Sequence, residues 1–107
     1  LKHFKSGTSI ALMIDQRVSQ GIKSLLFRNE ALTTTIPAQF VKKFNCKVVP
    51  IYIERKSNEN FMLEIMQPIN FDHGETIENI TLKLNQLLEK MIIRSPYQWI
   101  WSHNRWK

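Results

Sequence analysis

Five apolar residues in a row, Ile10 to Ile14, stop abruptly at Asp15, Gln16 and Arg17. An aliphatic run without alternation predicts a strand over residues 8–14, buried on both faces. Its charged end would then lie at the rim of a sheet, where α/β proteins place their ligands. The plainer alternative is that the triplet starts a solvated loop, because so short a motif carries little specificity. Residues 47–54 (KVVPIYIE) give the second strong strand pattern. Pro50 cannot donate to a ladder, so it belongs where that strand leaves the sheet or kinks. Residues 61–67 (FMLEIMQ) alternate partly and predict a more exposed strand with Glu64 facing outward. A charged turn over 54–60 would make the pair a hairpin and the sheet mixed. Residues 18–23, with Ser19, Gln20 and Gly21, read as a loop, 23–27 as a short strand and 28–31 as a polar connection.

Helical spacing governs the remainder. Residues 1–6 read as a last helical turn with Gly7 as its stop. Ile36, Phe40 and Phe44, with Val41 beside them, fall on one helical face, with Lys42 and Lys43 on the other. Pro37 suits the first turn, a preceding threonine can cap it, and Asn45 suits a left-handed stop. The longest helix runs from about 76 to 94, with Ile77, Ile80, Leu84, Leu87, Leu88, Met91 and Ile92 as its stripe. Ser95-Pro96-Tyr97-Gln98 has the form of a capping box and predicts a short helix carrying Trp99, Ile100 and Trp101. The pattern is that of a single α/β unit with a mixed sheet flanked by helices. There is no internal repeat or linker.

Composition narrows this a little. With 43% apolar and 22% charged residues, the 107-residue chain is an ordinary globular sequence. No basic n-region leads into an apolar core, and the longest apolar run, residues 48–53, falls far short of the roughly 18 needed to span a bilayer. The start at Leu1, inside a helical pattern, leads us to expect a piece of a longer polypeptide, incomplete at its N-terminus. The lone Cys46 excludes an internal disulfide and suits a reducing compartment. A net charge of +6, spread without an arginine block, favours anionic partners and does not choose among lipid head groups, acidic proteins and nucleic acid.

Candidate chemistry is sparse. His73 and Glu78 have a His-x-x-x-x-Glu spacing, but the histidine falls in a loop and the glutamate in a first helical turn, where the helix dipole already explains an acid. His103 lies in the tryptophan-rich tail and can bind a phosphate or simply pack. Thr33, Thr34 and Thr35 offer hydroxyls at a helix start, a modest anion or carbonyl site beyond what capping requires. Arg55 would share a sheet edge with Asp15 if their strands are parallel neighbours. The tail (Trp99, Trp101, Arg105, Trp106, Lys107) suits a membrane interface, stacking on single-stranded nucleic acid, or anchoring on the core.

Taken in order, these stretches resemble the bacterial lipid A biosynthesis acyltransferases, the lauroyl/myristoyl transferase family. The matching features are a strand ending in Asp15-Gln16, the run Leu32-Thr33-Thr34-Thr35 opening a helix, and Cys46-Lys47-Val48-Val49-Pro50 followed by Arg55. A long helix with Leu88-Glu89 comes next. The closing stretch 96–107 (PYQWIWSHNRWK) is similar to the family's Pro-Glu-Gln-aromatic-x-Trp-x-His-x-Arg-aromatic-Lys signature. Tyr97 stands for the usual Glu, Asn104 for an Arg, and Ile36-Pro37 for the Gly that commonly follows the threonines.

The resemblance implies a glycerolipid-acyltransferase-like fold, with residues 1–107 as the C-terminal part of one domain. It implies transfer of an acyl chain from acyl carrier protein to a hydroxyl of a lipid A precursor, at the cytoplasmic face of the inner membrane. It implies no cofactor beyond the acyl thioester, and nucleic acid is not an expected partner. The family's general base is the His of a His-x-x-x-x-Asp/Glu motif, expected upstream of Leu1, so no catalytic residue is expected within these residues and the chain alone should be inactive. By carry-over, Asp15, Gln16, Arg17, Thr33, Thr34, Thr35, Arg55, His103 and Arg105 are the expected substrate-contacting residues, Arg55 as the phosphate candidate. The rival readings are another glycolipid or lysophospholipid acceptor, and a basic module binding membrane or nucleic acid.

Overall fold

A computed structural model describes residues 7–107. The helical turn expected over residues 1–6 lies outside them. Two antiparallel hairpins and two helices make up an α/β arrangement. β1 (Ile22–Leu26) pairs with β2 (Asn29–Thr33), α1 covers Ile36–Phe44, β3 (Ile51–Arg55) pairs with β4 (Phe61–Ile65), and α2 covers Ile77–Arg94. A single 3₁₀ turn, Pro96–Gln98, leads into the tail. Among the described residues the sheets are two separate two-stranded ones, so the expected mixed sheet is not what forms.

The first hairpin is a departure from the pattern reading, which placed a polar connection where β2 lies. Its inward positions alternate as Ser24 and Leu26 on β1 and Ala31 and Thr33 on β2, with Ser24 opposite Ala31. Small and polar residues on that face hide the alternation from a hydrophobicity count. The two-residue turn is Phe27-Arg28, both at positive φ (49° and 65°), the geometry that follows strand twist and that Asn-Gly normally supplies. Three contacts hold the turn. The Phe27 N–H donates to Glu89 Oε1 on α2 at 2.7 Å, Asn29 Nδ2 donates to the Phe27 carbonyl, and Trp106 Nε1 donates to the Leu26 carbonyl at 3.0 Å.

α2 organises the packing. Thr76 caps it by accepting from the Asn79 N–H, and Ile80, Leu84, Leu88 and Ile92 repeat every fourth residue along its buried face. Toward its N-terminus, Ile80 and Leu84 pack on Ala38 and Val41 of α1, with Ile14, Val48 and Phe71 closing around them. Toward its C-terminus, Leu88 and Ile92 pack on Leu26 and Ala31 of the first hairpin, with Trp99 and Trp106. The helix thus contributes buried apolar side chains to both clusters, each Å² removed from water being worth about 25 cal/mol. On α1 the buried residues are Pro37, Ala38 and Val41, while Ile36 is exposed. The helix is thus rotated from the expected face, so that Ala38 and Val41, not Ile36, meet Ile80 and Leu84. Asn45 does stop α1 in the left-handed conformation.

β3 starts directly after Pro50, whose carbonyl accepts from the Met66 N–H at 2.9 Å. Proline therefore sits at the strand's entrance, where no donor is needed. On β4 it is Phe61, Leu63 and Ile65 that face outward, and Glu64 turns toward α2 to meet Arg94 at 2.7 Å. This reverses the expected orientation. Tyr52, directly opposite Glu64, lies under the Arg94 guanidinium (4.1 Å from its centre), so one arginine from α2 holds both strands.

Candidate functional site: an apolar groove beside a basic recess

Residues 8–14 form no ladder among the described residues, against expectation. The segment lines a gap opposite Val48–Ile53, with Ile14 packed on the core and Met13 82% exposed. The gap is a groove of about 930 Å³, walled by residues 8–15, by Cys46–Ile53, and by Leu84, Leu87, Leu88 and Met91 of α2. Its lining is predominantly apolar. Trp99 and Gln98 form part of the wall.

A second, polar recess of about 760 Å³ is lined by Glu54, Arg55, Lys56, Ser57, Phe61 and Tyr97. Ile53 and Gln98 belong to both walls, so the cavities adjoin. Gln98 ties this wall to the backbone of β3. Its Oε1 accepts from the Arg55 N–H (2.8 Å) and its Nε2 donates to the Arg55 carbonyl (2.9 Å), replacing a neighbouring strand at the free edge of β3. The expected capping-box role is absent: Ser95 makes no side-chain cap, and the helix stops after one turn. In the recess, the Lys56 ammonium beside Glu54 holds that carboxyl below its usual range, and Glu54 raises the lysine in turn. Arg55 rests over the Phe61 ring at 5.8 Å.

The structure scatters the residues singled out from sequence. Asp15 lines the groove, while Arg55 lines the recess, so the two do not share one sheet edge. Residues 8–14 form no strand beside β3, whose ladder partner is β4. Thr33 and Arg105 are buried. The Thr33 hydroxyl donates to the Ala31 carbonyl and accepts from Asn85 Nδ2 and Arg105. Arg105 is wholly enclosed: Nε donates to the Asp15 carbonyl (3.1 Å), one terminal nitrogen to the Leu32 carbonyl (2.5 Å) and the other to Thr33 Oγ1 (2.9 Å). Burial pushes its pKa down. These two side chains face inward and join the tail to β2 and to residue 15, which corrects the expectation that they face a ligand.

The other threonines are held locally. Thr34 Oγ1 accepts from the Ile36 N–H, and Thr35 Oγ1 accepts from Gln39 Nε2. Thr35 is the N-cap residue of α1 but makes no side-chain cap bond itself, and the neighbouring Thr34 hydroxyl accepts instead. Arg17 Nε donates to the Lys107 carbonyl at 2.6 Å, tying residue 17 to the tail. Gln16 and His103 are exposed. His73 is exposed in its loop, and its carbonyl accepts from Lys42.

Three groups were missed from sequence. Asn85, wholly buried on α2, donates to the Leu25 carbonyl as well as to Thr33. The available signal was an Asn at the margin of the apolar stripe, between Leu84 and Leu88. Glu89 holds the Phe27-Arg28 turn, and Gln98 holds β3. The described residues contain no cluster of His, Cys, Asp and Glu that could hold a metal ion, and no helix long and apolar enough to cross a membrane.

No curated protein matches the chain. The family model described as "Bacterial lipid A biosynthesis acyltransferase" matches residues 1–107, the whole of the chain. Side chains of the closing stretch pin residue 15, β2 and β3 together, and the chain, matched over its whole length, belongs to the bacterial lipid A biosynthesis acyltransferase family.

Proposed function

We propose that this chain supplies the lipid-binding part of an enzyme that transfers a fatty acyl group from acyl carrier protein to a hydroxyl of a lipid A precursor. Family membership over the full 107 residues is the observation that carries the reading. The groove supports it physically. An apolar channel of about 930 Å³ next to a basic recess suits a ligand with an acyl chain and an anionic head. Arg55 and Lys56 are the candidate phosphate-facing groups, and Asp15 is the candidate acceptor-facing group. The net charge of +6 suits the acidic carrier protein and an anionic membrane surface at the cytoplasmic face of the inner membrane.

In this reading the general base lies outside the 107 residues, in a His-x-x-x-x-Asp/Glu motif. It takes the proton of the acceptor hydroxyl, the oxygen attacks the thioester carbonyl, and the carrier thiol leaves. No cofactor is required beyond the thioester. The 107-residue chain alone is inactive.

The test is to incubate the full-length protein with an acyl carrier thioester and underacylated lipid A, and to look for a mass increase of one acyl chain. Asp15→Ala should lower the rate while the protein stays folded. No mass increase on lipid A, with one on a lysophospholipid or other glycolipid, would transfer the reading to that acceptor.

A further inference from the structure

Along residues 47–55 exposure alternates strictly: Lys47, Val49, Ile51, Ile53 and Arg55 are exposed, and the residues between them are buried or half-buried. A period of two separates the faces of a strand, and here its usual sense is inverted. Aliphatic side chains face out, while Glu54 faces in. The antiparallel partner repeats the inversion, since Ile51 pairs with Ile65, Ile53 with Leu63 and Arg55 with Phe61. The six apolar side chains of this outer face are each between 45% and 67% exposed. Apolar residues exposed singly need no explanation, but a contiguous apolar face marks a surface that something covers.

Charge distinguishes the possible occupants. The acids of the two strands are turned inward and paired, Glu54 with Lys56 and Glu64 with Arg94. The outer face keeps only cations, Lys47 before its aliphatic run and Arg55 after it, and among the described residues neither has an ion-pair partner. Arg55 lies over the Phe61 ring at 5.8 Å, and the long stems of both side chains let them cover apolar surface while the charge stays at its edge. The connecting turn adds Lys56 and Glu59, one of each sign. A second copy seated on this face would bring cations against cations with no acid to meet them. An anionic bilayer satisfies both parts of the surface, with acyl chains for the apolar centre and head-group phosphates for its two charged ends.

We propose that the outer face of the β3–β4 hairpin is the surface on which this protein seats against an anionic lipid bilayer. Phe61, Leu63 and Ile65 enter the boundary between head groups and acyl chains, and Lys47 and Arg55 meet the phosphates. Val49, Ile51, Ile53 and Ile65 also belong to the groove wall, so the seated face and the groove are continuous. This deepens the proposed function by naming the surface that meets the membrane, and it rests on the claim there that the protein works at one.

A fluorophore sensitive to its environment tests it, attached to Leu63→Cys in the full-length protein with the other cysteines replaced by serine. Gln20→Cys, in the exposed turn before β1, is the control position. Vesicles of phosphatidylcholine and phosphatidylglycerol should shift the emission at residue 63 to the blue and raise it severalfold. Phosphatidylcholine alone should do less, and residue 20 should not respond. Lys47→Gln should move the titration to about fivefold more lipid, the factor contributed by one cation near an anionic surface. No response at residue 63, or equal responses at 63 and 20, overturns the docking face. Emission already blue before vesicles are added also overturns it. Dilution that reverses that signal assigns the face to a second copy, and insensitivity to dilution assigns it to another part of the full-length chain. Acyl transfer by the unlabelled protein is assayed alongside. Transfer with residue 63 silent overturns this face and leaves the proposed function standing, whereas insertion without transfer supports the face and overturns the acyltransferase reading.

Discussion

Glu89 carries the most exacting prediction, because it supports a turn that its own sequence disfavours. Phe27 and Arg28 both hold positive φ, a conformation that costs an L-residue roughly 1–2 kcal/mol. In a two-residue hairpin the Phe27 N–H has no ladder partner, and Glu89 Oε1 accepts it at 2.7 Å from a half-buried position on α2. A hydrogen bond to a charged acceptor contributes about 1.5–3 kcal/mol. Leucine and glutamate have similar helix propensity, so Glu89→Leu isolates this contact. It should destabilise by about 2 kcal/mol, with Glu89→Gln, which keeps a neutral acceptor, falling near half that. Arg28→Gly should act in the opposite sense. It relieves one strained residue and adds back about 0.5–1 kcal/mol of glycine entropy, for a net gain of roughly 0.5 kcal/mol. Urea unfolding followed by circular dichroism measures all three, with the slope unchanged if only stability is altered. A Glu89→Leu value within about 0.5 kcal/mol of wild type would refute the reasoning, as would Gln and Leu being equivalent.

Other outcomes follow from single sites. A Cβ on Gly21 would lie 2.4 Å from the Thr33 carbonyl oxygen, against backbone that cannot swing away, so Gly21→Ala should destabilise by about 2–3 kcal/mol in the same urea assay. Arg105→Met takes the donor from the Asp15 and Leu32 carbonyls, while Thr33 Oγ1 keeps Asn85, and should lose about 2–4 kcal/mol; Arg105→Lys should recover only part, since an ammonium lacks the fork. The carboxyls of Glu54 and Glu75 sit below their ordinary value of 4.5, each through a hydrogen bond from a lysine, Lys56 and Lys83. Their contributions are present above about pH 4.5 and are lost as the pH falls through the lowered values. Lys56 is raised above 10.5, so its share persists below that pH and fades above it. Urea midpoints against pH should therefore show an acid limb that Lys83→Met makes shallower.

By itself the sequence determined the elements whose apolar spacing is unmistakable. α2 runs from its Thr76 cap to Arg94 with the expected stripe inward, and Asn45 stops α1, whereas β3 begins only at Ile51, after Pro50, and not at residue 47. It also carried the family, through residues that follow one another in order. Three things were decided only in three dimensions. β2 was invisible because Ala31 and Thr33 face inward and no glycine marks the turn; distant Glu89 and Trp106 make that turn possible. Residues 8–14 have the composition of a central strand, yet a strand is defined by its neighbours, and these residues face a groove. Thr33 and Arg105 looked like ligand groups because threonine and arginine usually are polar surface residues. Whether such a side chain faces solvent or bonds a carbonyl some 70 to 90 positions away is settled by packing, which local sequence does not encode.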